Sequence, residues 1–268
     1  MVAVRTVGWV TSSPPSSALQ GLYQLGPWTV DTYEEPCHPG DIGLDTYLVA
    51  VFDDVLRIAV FDGAQDLLVP DSHAHAARAV HTTRGWLRSL SSVPDALLRA
   101  STVLVDQELR PRTKNPLCTV AIADIAADGS AKFWRCGDSE VWACIDGAWQ
   151  GVLAGDMLTS PARARWDVWC AAHPDATEPE AWAAQETLLD EPDDFIAPPM
   201  GLVSVPIPQT SSCAQFDEII VATDGLILNP DRCAHLDTWA HKDIQLLPLV
   251  EPYTSPHADL AYVRVRRR

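Results

Sequence analysis

Three aspartates in this 268-residue chain stand where an apolar run ends or begins. Ala59-Val60-Phe61-Asp62-Gly63 and Ile219-Ile220-Val221-Ala222-Thr223-Asp224-Gly225 each close a strand-like run with Asp-Gly, and Asp259 opens Leu260-Ala261-Tyr262-Val263. A carboxylate at the mouth of a strand is held rigidly, and a glycine after it lets the backbone approach a ligand. Oxygen ligands of this kind suit Mg2+ or Mn2+, whereas zinc draws on His or Cys. Taken singly, each Asp-Gly is also a common turn. Asp128-Gly129 and Asp146-Gly147 are read as turns of that plain sort. Spacing alone leaves both readings open, and the order of the surrounding elements does more to separate them.

Those elements begin with Thr46–Phe52 and Val55–Phe61, two apolar, β-branched runs across Asp53-Asp54, which read as a hairpin. Residues 73–90 and 94–110 carry Ala, Leu and Arg at helical spacing, with Pro94 near a helix start. Strand-like runs return at 117–125, 131–136, 140–145 and 148–152. The stretch from 156 to 200 is rich in Pro, Trp and Ala and reads as a helical or irregular insert with one helix near 179–190. Residues 216–223 and 260–265 read as the last two strands. Segregated strands and helices favour an α+β fold over alternating parallel units. The expected organisation is an irregular N-terminal segment over 1–35 and a single domain over 36–268.

The formal net charge of −17 repels phosphate backbones and makes nucleic acid an unexpected partner. No run approaches the roughly 18 apolar residues of a membrane span, and no secretory signal is read at the N-terminus, so a cytoplasmic protein is expected. Cysteines 37, 118, 136, 144, 170, 213 and 233 are odd in number and form no CxxC pair, the pattern of buried thiols in a reducing compartment. His73, His75 and His81 lack the i, i+4 spacing of a helical metal pair. The tryptophans read mainly as core, although Trp166, Trp169 and Trp182 in the insert could line a recognition surface. The basic tail Arg264–Arg268 reads as a solvated terminus.

Taken in order over residues 40–266, these segments resemble the metal-dependent Ser/Thr protein phosphatases of type 2C. Arg57–Gly63 is similar to the family's strand into its Asp-Gly motif. Cys118–Ala123 resembles the strand after the helix pair. Trp134–Val141 contains a Gly137-Asp138-Ser139 motif like the family's, Phe216–Leu226 is similar to its Ser-Asp-Gly segment, and His257-Ala258-Asp259 to its Asp-Asn. The resemblance implies an antiparallel β-sandwich flanked by helices in α-β-β-α layers, with a binuclear Mg2+ or Mn2+ centre at one end. It implies that Asp62 bridges the ions, that the Gly63 carbonyl binds one, and that Asp224 and Asp259 complete the first site. Asp138 would stand nearby, and Asp45 could assist the second ion. Water held between two such ions ionises more readily and can attack phosphorus in line.

Departures from the pattern bear on activity. Leu44 precedes Asp45 where the family has Glu, and a Leu cannot ligate metal. The stretch Cys37-His38-Pro39-Gly40-Asp41 lacks the phosphate-gripping Arg. Ala64-Gln65 follows Gly63 in place of the usual glycine-rich run, and Leu228 and Leu260 stand where polar residues are usual. The expected function is hydrolysis of phosphoserine, phosphothreonine or a related phosphomonoester, on a phosphoprotein or a phosphorylated small molecule. The alternative is a catalytically weak pseudophosphatase that binds or regulates.

Overall fold

The computed structural model describes residues 19–35, 44–64, 72–106, 115–189, 191–224 and 260–267. Eleven strands among them form two antiparallel sheets: β1 (Leu19–Leu25), β2 (Trp28–Glu35), β3 (Thr46–Phe52), β4 (Val55–Ala64), β5 (Leu117–Ala126), β6 (Ala131–Cys136), β7 (Glu140–Ile145), β8 (Ala148–Leu153), β9 (Gln209–Cys213), β10 (Glu218–Ala222) and β11 (Leu260–Arg267). The six-stranded sheet runs β1-β2-β11-β10-β7-β8 and the five-stranded sheet β3-β4-β5-β6-β9. Alternating residues of the two sheets meet face to face. Val49, Ile58, Val60 and Phe133 from one pack with Val30, Val141, Ile219, Val221 and Val263 from the other, the period-2 signature of a sandwich core.

The opposite face of the five-stranded sheet takes two helices, α1 (Ser72–Ser89) and α2 (Val93–Leu104). α1 turns Ala76, Ala79, Val80, Thr83 and Leu87 inward at helical spacing, onto Leu48, Phe61, Val120 and Ile122. Ser92 caps α2 by accepting from the Asp95 N–H, with Pro94 in the first turn where no intrahelical N–H bond is lost. Two further helices, α3 (Ser160–Ala172) and α4 (Glu178–Leu188), lie in the segment between β8 and β9.

Turn chemistry follows the residues that tolerate a left-handed backbone. Asp53 (φ 50°) links β3 to β4, and Asp146 (φ 53°) with Gly147 (φ 76°) links β7 to β8. Several expectations need correction. Residues 19–35, expected to be irregular, form the β1–β2 hairpin, and β2 pairs along its length with β11; the expected boundary at 36 therefore falls within one sheet. The alternation in Trp28–Glu35 supplies the strand, which the Ser and Pro of the preceding residues obscured. The basic tail is not a solvated terminus. Arg264 is 1% exposed and pairs with Glu218, and Arg266 reaches Asp31 at 2.7 Å. α2 ends at Leu104, short of the expected 110, its carbonyls handing over to the Val105 N–H. Of the cysteines, Cys118, Cys136 and Cys144 are buried as expected, Cys213 is half-buried and Cys170 is exposed; positions 37 and 233 lie outside the described residues.

One buried group joins helices to sheet. Arg57 on β4 is fully buried and grips both carboxylate oxygens of Asp124 on β5 at 2.7 Å. The same guanidinium donates to the carbonyls of Leu87 (2.9 Å), Leu90 (2.6 Å) and Ser91 (2.6 Å). It thus caps the C-terminal end of α1, where a cation is favoured by the helix dipole. Removing one partner of such a buried pair strands the other charge and typically costs about 3–5 kcal/mol. Arg57→Met is accordingly expected to lose that much stability, read as a lower urea midpoint at unchanged slope.

Candidate metal centre

The strand pairing that builds the sandwich also gathers its aspartates. Thr46 pairs with Phe61 across the β3–β4 hairpin, so Asp45 and Asp62 emerge side by side at one end. Asp62 in turn pairs with Thr119 on β5, whose hydroxyl lies 2.6 Å from that of Ser139. Asp224 follows Thr223, which is fully buried and locked to β11: its N–H donates to the Ala261 carbonyl at 2.9 Å and its Oγ1 accepts from the Ala261 N–H at 3.0 Å. Asp138 sits in the turn between β6 and β7. There Gly137 has φ +86°, and a Cβ would come within 2.4 Å of Thr119 Cβ, so only glycine fits.

One carboxylate oxygen from each of Asp45, Asp62 and Asp224 lies within 4.8 Å of the others. Asp45 is buried, Asp62 half-buried and Asp224 exposed, so the group opens to solvent on one side. Burial raises Asp62 well above the usual carboxylate range, and the charges of Asp45, Asp224 and Asp138 and a hydrogen bond with Asp45 add to the rise. Asp138 is also raised by burial, against the opposing pull of its own backbone N–H, the Thr119 hydroxyl and Arg135. Its Oδ1 is buried without a hydrogen-bond partner.

The donor set fits a hard divalent cation. Oxygens around one such ion, each about 2.1 Å from it, lie about 3.0 Å apart when adjacent and ~4.2 Å apart when opposite, so carboxylate oxygens within 4.8 Å of one another are near enough to be drawn onto one ion. A bound cation also reverses the like-charge repulsion at Asp62. All the donors are oxygens, which disfavours zinc.

Of the residues singled out in the sequence, Asp45, Asp62 and Asp224 come together, with Asp138 close enough for its charge to act on Asp62. Asp259 lies outside the described residues, as do the 37–41 stretch and Leu228. Asp45, secondary in the sequence reading, stands fully within the group. Leu44 is 5% exposed, and a Cβ on Gly63 would meet its Cβ at 2.9 Å and that of Ala76 at 3.2 Å. An apolar side chain therefore packs directly against the Gly63 backbone. Thr223, Ser139, Arg135 and Glu140 escaped the sequence reading as contributors; the available signal was polar side chains flanking the Asp motifs inside apolar strands.

Among solved structures, RsbX in complex with magnesium superposes with a TM-score of 0.60 over 93% of this chain and 100% of that one, at 13% identity. The serine/threonine phosphatase of S. agalactiae gives 0.56 over 94% and 98% at 16% identity. The Mycobacterium tuberculosis serine/threonine phosphatase PstP/Ppp gives 0.57 over 90% and 99% at 14% identity. The chain has the type 2C phosphatase fold. No protein-family model matches it, and no curated protein matches it by sequence. Within the type 2C fold the sequence is thus strongly divergent.

A further acid bonds Thr46, the residue after Asp45. Glu34, at the end of β2, is fully buried. Its Oε2 accepts from Thr46 Oγ1 at 3.2 Å, and its Oε1 has no hydrogen-bond partner. Burial pushes it up from 4.5 to about 7, against the lowering effects of Thr46 and Arg84. The folded state therefore holds this proton more tightly than the unfolded chain, and stability falls as pH rises from 4.5 through about 7. The full rise corresponds to about 3 kcal/mol. Glu34→Gln, which cannot ionise, should match the parent below pH 4.5 and exceed its stability by up to that amount above pH 7, measured by urea unfolding across the range.

Proposed function

We propose that the chain is a metal-dependent phosphatase that hydrolyses phosphoserine or phosphothreonine, or a related phosphomonoester, with weak turnover. The observation that carries this reading is the convergence of Asp45, Asp62 and Asp224 at one end of the sandwich. Fold neighbours described as serine/threonine phosphatases and a neighbour crystallised with magnesium support it. Asp62, Asp224 and Asp259, with the Gly63 carbonyl, are the proposed ligands of Mg2+ or Mn2+, and Asp45 and Asp138 assist. Such ions, when bound, polarise phosphoryl oxygens and activate water for in-line attack. The chain's own part is to hold the carboxylates: Thr223 anchors Asp224 to β11, and Thr119 steadies Asp138. No cysteine is assigned a nucleophilic role; burial pushes the Cys118 and Cys136 thiols up to about 12, leaving them un-ionised at neutral pH. No described helix is long and apolar enough to cross a membrane, and we place the protein's work in the cytoplasm on a phosphoprotein or small phosphate ester.

Leu44 favours a second reading. Its apolar packing against Gly63 leaves the second ion without the acidic residue usual in the family. A chain in which metal and phosphate bind without turnover would act as a pseudophosphatase that regulates a phosphoprotein.

Hydrolysis of p-nitrophenyl phosphate and of a phosphothreonine peptide, with Mn2+, Mg2+ or chelator, separates the two. The phosphatase reading expects metal-dependent turnover that Asp62→Asn lowers by more than the about 10–100-fold typical of losing an outer-shell partner. Mn2+ binding by calorimetry with no turnover of either substrate would select the pseudophosphatase instead.

A further inference from the structure

Arg135 is a guanidinium buried beside an acidic site, and nothing in the metal chemistry above uses it. It lies near the end of β6, two residues before Gly137, and is 1% exposed. Nη1 donates to the Gly155 carbonyl at 3.0 Å and Nη2 to the Asp156 carbonyl at 3.5 Å, while Nε is buried without a hydrogen-bond partner. Its charge interacts with Glu140, Asp138 and Asp156. Glu140 holds the same loop from its other side: Oε1 accepts from the Gly155 N–H at 2.9 Å and Oε2 from Trp142 Nε1 at 2.8 Å. The Gly155 peptide is thus gripped through its carbonyl by Arg135 and through its N–H by Glu140. These two residues flank the Gly137-Asp138-Ser139 turn.

The loop so gripped is the root of α3. Asp156 caps the following backbone at Leu158 N (3.0 Å) and binds Arg163, in the first turn of α3, through both carboxylate oxygens at 2.5 and 2.7 Å. The far end of the insert returns to the same turn, where the Gly137 N–H donates to the Ala197 carbonyl at 2.8 Å. Cys118 and Met200 exchange backbone bonds at 3.2 and 2.9 Å, and Cys118 pairs with Gly63. Beyond these roots the helical insert has a small core of its own, in which Leu158, Ala162, Leu189, Phe195 and Leu202 pack together. Ala162 is the one buried residue of α3, and Trp166, Trp169 and His173 stack along it at 5.3 and 4.7 Å between ring centroids.

We propose that Arg135 is a positioning residue of the phosphatase site, fixing the Asp138 turn and the Ala154–Asp156 loop to each other so that α3 is held in register with the metal-facing carboxylates. The role rests on the metal-site reading above, and it makes the placement of the Trp-bearing helix and the placement of Asp138 one mechanical unit. A neutral apolar side chain at 135 would leave the Gly155 and Asp156 carbonyls without their donor and Asp138 and Glu140 without their counter-charge.

The test compares Arg135→Met and Arg135→Lys in the full chain, each checked for folding by thermal unfolding. Hydrogen exchange of residues 154–172, Mn2+ affinity by calorimetry, and separate kcat and KM on p-nitrophenyl phosphate are the readouts. Arg135→Met should speed exchange in 154–172 while β3–β4 exchange stays unchanged. It should weaken Mn2+ binding by about tenfold or more and lower kcat with little change in KM. Arg135→Lys keeps the charge but reaches one carbonyl, and should fall between Met and the parent. A folded Arg135→Met with parental exchange and Mn2+ affinity would overturn the proposal. If Arg135→Met does not fold, Arg135→Lys decides alone, and parental values in both readouts overturn it. If the parent itself hydrolyses nothing, the exchange and Mn2+ readouts still decide the role of Arg135, separately from the phosphatase reading.

Discussion

Repulsion among carboxylates is the constraint around which this molecule is arranged. Asp45, Asp62 and Asp224 bring oxygens within 4.8 Å of one another at the end of two sheets, and the charge of Asp138 adds to the same field. Burial first, and then the charges of its acidic neighbours, raise Asp62 well above the ordinary carboxylate range. A divalent cation removes that cost and turns the same geometry into ligation. Metal binding should therefore stabilise the fold as well as equip it for chemistry.

The rest of the structure supplies rigidity against that repulsion. Core side chains from both sheets interleave, so the strand ends cannot splay apart without opening the sandwich. Arg57 ties α1 to β4 and β5 through one guanidinium, at the end of β4 remote from Asp62. Thr223 locks the residue before Asp224 to β11. Gly137 exists as glycine because Thr119 fills the space a side chain would take. Leu44, one of the departures from the family pattern, sits at the same end and brings an apolar group against Gly63.

Much of this was legible in the chain because local pattern and tertiary role agree. The β3–β4 hairpin, the helix pair and the β5–β8 meander have strong periodicity and clear turn residues, and they carry Asp62 and Asp138. The hidden parts are those where the local signal is weak. β9, Gln209–Cys213, is a polar edge strand defined by its pairing with β6. α3 buries one residue, so it lacks an apolar stripe to read. Arg264 looked like part of a solvated tail because sequence cannot reveal that Glu218 lies beside it on β10. The membership of Asp45 depends on register across the hairpin, a three-dimensional fact masked by the neighbouring Leu44.

The most direct measurement of the central claim is a crystal structure of the protein soaked in Mn2+, read by anomalous scattering. The account predicts an ion peak between Asp62 and Asp224 with carboxylate oxygens at about 2.0–2.6 Å. A well-ordered structure with no peak there, and with those side chains turned away from one another, would contradict it.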